Sequence, residues 1–74
     1  MRLILTKHTK ERMIERKISG RMLLDALLRP DRMSLGYFGR KVNFKRVDAG
    51  IIKIVYTIEN RNYIIISVIW HKLN

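Results

Sequence analysis

The sequence contains no cysteine, a single proline and only six acidic residues among its 74. Without cysteine, neither a disulfide framework nor a thiolate metal site can hold the chain together. Two histidines without clustered carboxylates also argue against a zinc or magnesium site, so we expect no metal and no cofactor. The scattered carboxylates offer no pair of the kind that glycosidases and two-metal nucleases use.

Long hydrophobic runs are missing as well. The most apolar stretch, 51–70, is interrupted by Lys53 and by the polar segment 59–62, and neither half reaches the roughly 20 residues of a membrane span. The apolar start, Leu3 to Leu5, is too short for a signal peptide. We therefore expect a soluble, cytoplasmic protein without membrane contact, folded as one domain over residues 1–74.

The sequence has positive charge in excess. Sixteen Lys and Arg residues give a net charge of +10. Self-repulsion of this size lowers stability unless an anion relieves it, so the expected partners are nucleic acid, an anionic surface or an acidic protein. We take RNA as the leading partner. The alternative is that the charge only aids solubility, although acidic residues serve solubility equally well.

The apolar periodicity predicts an α+β fold. A short strand at 3–5 precedes a helix from Lys7 to about Lys17, and a second helix runs from Gly20 to about Arg29. Strands follow near 41–45, at 51–58 and at 63–70, and 32–36 can add a further one. We predict two N-terminal helices packed on one face of a three- to four-stranded antiparallel sheet, in the order β-α-α-β-β-β.

The predicted strand near 41–45 has an alternating pattern. Val42 and Phe44 alternate with Lys41, Asn43 and Lys45. The alternation predicts a half-buried strand with an apolar face toward the core and a basic face toward solvent.

The first helix carries a basic stripe, His8, Arg12 and Arg16, at successive i, i+4 positions. Arg16 has no acidic residue three or four positions away, which makes it a candidate phosphate clamp. His8 lies in the first turn, where the helix dipole favours a neutral imidazole that can accept a proton. The stripe has two simpler interpretations: a solvated face, or Arg16 reaching across the fold to Asp25 or Asp48.

Further basic residues lie later in the chain, and the last strand ends in Trp70, His71 and Lys72. An aromatic ring, an imidazole and an ammonium group together can stack on a base and contact a phosphate. Equally, Trp70 can close one end of a small core and leave His71 exposed. The candidate catalytic residues are thus His8, Arg12, Arg16 and His71, and the candidate nucleic-acid-binding residues are Arg40, Lys41, Lys45, Trp70 and Lys72.

The segment 6–19 resembles the opening of a group of small bacterial and archaeal proteins with the signature His-Ala-x-x-Arg-Met-x-x-Arg-Gly-Ile-Ser. Their layout is similar to the RelE/ParE-like and BrnT-like toxins of toxin–antitoxin pairs. His8, Arg12 and Arg16 match this signature, whereas Thr9 and Lys17 replace the usual Ala and Gly. In these proteins an apolar helix, a proline and a Gly-Arg pair follow, and Arg40 matches the arginine of that pair. The resemblance implies a RelE-like fold. It also implies a protein that cleaves messenger RNA without a metal, often on the ribosome, and that a small antitoxin neutralises.

These observations lead to one main hypothesis: a toxin that acts as a metal-independent endoribonuclease on mRNA, free or bound to the ribosome, with an acidic antitoxin as its protein partner. RNA suits a metal-independent enzyme because its own 2′-hydroxyl can serve as the nucleophile. We expect a monomer or a weak homodimer. The alternatives are a basic RNA- or DNA-binding module without catalysis and an interaction protein that docks an acidic partner.

Overall fold

The computed structural model describes residues 2–72 and contains five strands and two α-helices. The helices, α1 and α2, follow the first strand and precede the other four, and a single 3-10 turn, Tyr37–Gly39, lies between β2 and β3. Their bounds are β1 Leu3–Leu5, α1 Lys7–Glu15, α2 Gly20–Leu28, β2 Arg32–Leu35, β3 Lys41–Val47, β4 Gly50–Glu59 and β5 Asn62–His71.

Helix α1 begins and ends through local hydrogen bonds. The hydroxyl of Thr6 accepts from the backbone N–H of Thr9 at 3.0 Å, so Thr6 is the N-cap of this helix. At the other end Lys17 takes a left-handed conformation with φ 57°, and the N–H of Ile18 donates to the Met13 carbonyl at 2.9 Å. This is the Schellman pattern, which here ends the helix with lysine in the position that usually favours glycine.

Helix α2 is capped by Ser19, whose hydroxyl accepts from the N–H of Met22 at 3.1 Å. Its buried residues are Leu23, Ala26 and Leu27, spaced as one helical face. The helix ends at Leu28, two residues before Pro30, close to the predicted end. Neither helix in the described range 2–72 is long and apolar enough to cross a membrane.

The strands form one mixed sheet in the order β1-β5-β4-β3-β2. Strand β1 pairs with β5 in parallel, and all the other pairs are antiparallel. The α+β class with two helices is confirmed, but the sheet has five strands instead of the expected three or four, and the parallel β1–β5 pair makes it mixed instead of antiparallel. The reason is that the two short strands both join the sheet, as its edges: β1 pairs with β5, and β2 pairs with β3.

The helices pack on the same face of the sheet, α1 against β5 and α2 against β3 and β4. The core between them contains the β4 residues Ile52, Ile54 and Tyr56, together with Ile65 and Val68 of β5. We name the opposite sheet face, which no helix covers, the open face. Its residues on β2 to β5 include Arg32, Ser34, Val42, Phe44, Arg46, Ile51, Lys53, Val55 and His71.

Strand β3 is turned the other way round from what its sequence pattern predicts: its polar positions, and not Val42 and Phe44, face the helices. Asn43 is opposite the buried Ile54 and is itself completely buried under α2, so the face with Lys41 and Lys45 is the helix-covered one. The prediction of an exposed basic face at these three positions is therefore wrong. Phe44 lies on the open face.

The burial of Asn43 has a specific cause at the end of α2. Its amide nitrogen donates to the carbonyls of Ala26 at 3.0 Å and Leu27 at 3.3 Å, two groups that a helix end leaves without intrahelical partners. Its amide oxygen accepts from the hydroxyl of Tyr56 at 3.1 Å. Burial raises the pKa of the Tyr56 hydroxyl, and the bond to Asn43 partly opposes that rise.

We predict that Asn43→Ala lowers the free energy of unfolding by about 3 kcal/mol, because it leaves two buried carbonyls and a buried hydroxyl unpaired. Tyr56→Phe removes only one of the bonds and should cost about 1 kcal/mol. Urea denaturation followed by circular dichroism measures both values. Equal effects of the two substitutions would contradict the central role of Asn43.

Candidate nucleic-acid interface

The basic stripe of α1 lies beside the edge of β5. His8, Arg12 and Arg16 line one cleft of about 210 Å³, and the other side of the cleft is formed by residues 66–68 of β5. Strand β1 pairs only with residues 63–65 of β5, so the stretch beyond is flanked by α1 instead of by a strand. The three predicted neighbours are thus brought together.

Within this cleft, His8 and Arg12 are exposed and contact each other. The guanidinium Nη2 of Arg12 lies 3.1 Å from Nε2 of His8. A guanidinium can only donate, so Nε2 of the His8 ring is the acceptor in this contact. The pair presents one guanidinium and one imidazole to solvent.

Arg16 has a structural role in the same cleft. Its guanidinium donates to the carbonyl of Val68 at 2.9 Å, and its own carbonyl accepts from the indole N–H of Trp70 at 2.8 Å. These two bonds tie the end of α1 to β5. In residues 2–72 the one ion pair is Lys45–Asp31. The alternative in which Arg16 reaches Asp25 or Asp48 is therefore wrong, and Arg16 binds the Val68 carbonyl instead.

The open face contains a larger concave site of about 560 Å³. Four strands contribute to it because the register aligns Arg32 with Phe44, Arg46 with Ile51, and Ile51 with His71. We name it the four-strand cleft. Its lining residues are Asp31, Arg32, Phe44, Arg46, Ile51 and His71.

Phe44 lies at the centre of the four-strand cleft. The ring of His71 meets it edge-on, with ring centroids 5.0 Å apart and an angle of 73°. The guanidinium of Arg32 lies over the same ring, 4.3 Å from its centroid. An imidazole and a guanidinium are therefore held against one aromatic ring.

The only acidic residue of the cleft is engaged at its rim. The carboxylate of Asp31 accepts from the backbone N–H of Arg46 at 2.7 Å and lies 3.7 Å from the ammonium of Lys45. The hydrogen bond from Arg46 and the charge of Lys45 lower the pKa of this carboxyl group, so it stays ionised. Its contacts leave the guanidiniums of Arg32 and Arg46 free of ion pairs within the described residues.

Phe44 also borders a second depression on the open face, of about 370 Å³, which includes Arg40 and Lys53. One wall is the loop after β2. Tyr37 is 87% exposed there, and Phe38, at φ 59°, is 92% exposed with the Arg40 guanidinium 5.8 Å from its ring. This end of the open face thus combines cations with exposed aromatic rings, as surfaces that bind single-stranded nucleic acid do.

The predicted site residues fall into separate groups. His71 and Arg40 border the open face, and His8, Arg12 and Arg16 line the cleft between α1 and β5, which we name the α1 cleft. Lys72 is exposed beyond β5. Residues that belong to the helix-covered side of the sheet are Lys41, Lys45 and Trp70.

The sequence-based set of candidates lacks four residues of the open face: Arg32, Phe44, Arg46 and Lys53. Lys53 appears in the sequence as an interruption of an apolar run, and Phe44 as a core residue. The signal that unites them is strand register, since Phe44 is directly opposite both Arg32 and Lys53.

The chain matches a protein family described as a domain of unknown function (DUF4258) over residues 5–70. No curated protein matches the chain. No solved structure matches it either.

We predict that Arg16→Ala lowers the free energy of unfolding by about 2 kcal/mol, because it removes a charged donor from a partly buried carbonyl. Arg12→Ala is the matched control on the same stripe, and we expect it to change stability by no more than about 0.5 kcal/mol. Urea titration of both variants makes the comparison. Equal losses would contradict the structural role of Arg16.

Proposed function

The chain belongs to the DUF4258 family, and we propose that it is a metal-independent endoribonuclease of the RelE-like toxin type. The observation that carries this proposal is the four-strand cleft, which holds an imidazole, two guanidiniums and an aromatic ring on one uncovered sheet face. RNA is proposed to lie across the open face.

Binding is supported first by charge. The chain has a net charge of +10, and four cations border the open face: Arg32, Arg40, Arg46 and Lys53. Such a surface attracts a phosphate backbone whatever its sequence. Phe44, Tyr37 and Phe38 offer aromatic rings on which bases stack, and a single strand exposes the base faces that such stacking needs.

The proposed chemistry uses the 2′-hydroxyl of the RNA. His71 accepts the proton of that hydroxyl as its oxygen attacks the adjacent phosphorus. The bond from phosphorus to the 5′-oxygen breaks, the leaving oxygen takes a proton from water, and a 2′,3′-cyclic phosphate remains. Arg32 and Arg46 offset the negative charge that develops on the phosphate oxygens, which guanidinium geometry suits.

The residues of the α1 cleft form a second candidate site. His8 and Arg12 are exposed and in contact, and they match the signature positions of the toxin-like group. Under this version of the proposal His8 is the base and Arg12 the phosphate-binding cation. The two histidines line different clefts, so single substitutions separate the two versions.

The resemblance to RelE/BrnT-like toxins extends the proposal to substrate and partner. The RNA is then messenger RNA, free or bound to the ribosome, and an acidic antitoxin neutralises the protein.

A second candidate function is RNA or DNA binding without cleavage. It is favoured by the separation of His8 and His71 into different clefts, because no acid–base pair of histidines is assembled at one phosphate. Binding requires only the cations and rings of the open face.

We predict that the protein cleaves single-stranded RNA in EDTA and leaves 2′,3′-cyclic phosphate ends. His71→Ala should lower the rate at least 100-fold, the scale of general-base catalysis. His8→Ala is the matched comparison and should keep most of the rate. Gel analysis of a labelled oligonucleotide, with its fully 2′-O-methylated copy as a substrate that resists cleavage, measures the effect.

If His8→Ala abolishes cleavage and His71→Ala keeps it, the active site lies in the α1 cleft and not in the four-strand cleft. The absence of cleavage both with and without ribosomes would refute the endoribonuclease proposal and leave binding without cleavage as the function.

We also predict the salt dependence of binding to a 2′-O-methylated oligonucleotide. Four phosphate contacts give a slope of log K against log salt of about −3, since each contact to a single strand contributes about −0.7. Lys53→Ala should make the slope of log K against log salt shallower by about 0.7. Lys10→Ala should leave the slope unchanged, because Lys10 is exposed and lies outside both clefts and outside the second depression of the open face. Fluorescence anisotropy at several salt concentrations measures the slopes, and equal slopes for both variants would contradict binding at the open face.

A further inference from the structure

The two edges of the sheet differ in how far they are protected. At one edge β1 is only three residues long, and beyond it the Arg16 guanidinium binds the Val68 carbonyl. At the other edge all four residues of β2, Arg32–Leu35, are exposed. Proteins commonly shield such edges, because unpaired backbone groups are a template for another strand.

The backbone groups of β2 that point outward follow from the hydrogen-bond pattern. The N–H of Gly36 donates to the carbonyl of Arg40 at 2.8 Å, and in an antiparallel pair every second residue faces the partner. Ser34 and Arg32 therefore direct their N–H and C=O groups to β3. Met33 and Leu35 direct theirs away from the sheet, and in residues 2–72 no side chain or loop bonds to these four groups.

The side chains of β2 are apolar on one side of the sheet and polar or basic on the other. Met33 and Leu35, 62% and 81% exposed, lie on the helix side of the sheet, whereas Arg32 lies on the open face. Six of the ten exposed large apolar residues of the described chain fall within 24–38, so exposed apolar surface is concentrated around this strand.

The chemistry of the edge selects a polypeptide as its occupant. Two outward N–H groups and two outward C=O groups require both acceptors and donors, which an extended peptide supplies and a phosphate backbone does not. Arg32 begins the strand and Arg29 and Arg40 flank it, so a second copy of a chain with a charge of +10 would bring like charges together. Charge complementarity therefore favours an acidic partner.

We propose that β2 binds an extended segment of an acidic protein as a sixth, antiparallel strand. Residues directly opposite each other share a sheet face, so the segment has apolar residues opposite Met33 and Leu35 and acidic residues on the face of Arg32. The proposal goes beyond the nuclease proposal by naming the surface and the residue pattern of the protein partner, and it does not depend on cleavage.

The test uses a fluorescein-labelled seven-residue peptide in which Val and Glu alternate. N-methylation of its valines removes the N–H groups that face β2 and should weaken binding at least tenfold, since two hydrogen bonds are lost. N-methylation of its glutamates leaves those groups intact and serves as the matched control, with affinity expected within about threefold of the parent. Anisotropy titrations against the whole chain, without RNA, give the affinities.

Hydrogen exchange on the unsubstituted protein supplies a readout that does not depend on any variant folding. We expect the amides of Met33 and Leu35 to exchange rapidly in the free chain and to become protected with the parent peptide. Met33→Pro, which removes an outward N–H and spares the ladder to β3, should weaken binding at least tenfold.

Three outcomes would overturn the proposal. One is equal binding of the two N-methylated peptides, which would indicate charge attraction alone. Another is no gain of protection at Met33 and Leu35. The third is protection of these amides in the free chain by self-association, which sedimentation at increasing concentration would detect. None of these outcomes bears on RNA cleavage, because no RNA is present.

Discussion

The size of the helical layer is the constraint on which the rest of the structure depends. Two helices of nine residues are each about 14 Å long and together about 20 Å wide, and five strands span about 19 Å. The helices therefore cover one face of the sheet, and nothing else in residues 2–72 is available to cover the other. Apolar residues of β3 to β5 on that second face are interspersed with arginine, lysine and histidine. The open face, with its cations and rings, is a direct consequence.

The positive charge of the chain has two different uses. Arg16 and Lys45 are bound to groups of the protein, one to the carbonyl of Val68 and the other to Asp31. Arg32 and Arg46 lie on the open face with their guanidiniums outside any ion pair of the described residues. Arg16 also holds α1 against β5 together with Trp70, so part of the basic stripe serves the fold. Counting cations along the chain does not separate these uses, because the groups that bind Arg16 and Lys45 are distant in the sequence.

Local features of the fold were predictable where the interactions that produce them are local. The caps at Thr6 and Ser19 and the end of α2 before Pro30 follow from side chains within a few positions of the backbone groups they affect. The orientation of β3 was not predictable in this way. Its alternation of Val42 and Phe44 with polar residues suggests a core-facing pair, but the open carbonyls at the end of α2 require a donor. Asn43 supplies this donor although it lies 17 and 16 residues from Ala26 and Leu27 along the chain. Its bonds to their carbonyls fix which face of β3 the helices cover.

The sequence by itself determined the α+β class, the two short helices, and the excess of positive charge, because each depends on composition or on spacings within one element. It also identified His8, Arg12 and Arg16 as neighbours, since helical periodicity alone makes them so. Only the tertiary structure decided that Arg32, Phe44, Arg46 and His71 meet in one cleft. Those residues belong to three strands, and the register between strands that aligns them is set by packing and by hydrogen bonds between distant parts of the chain.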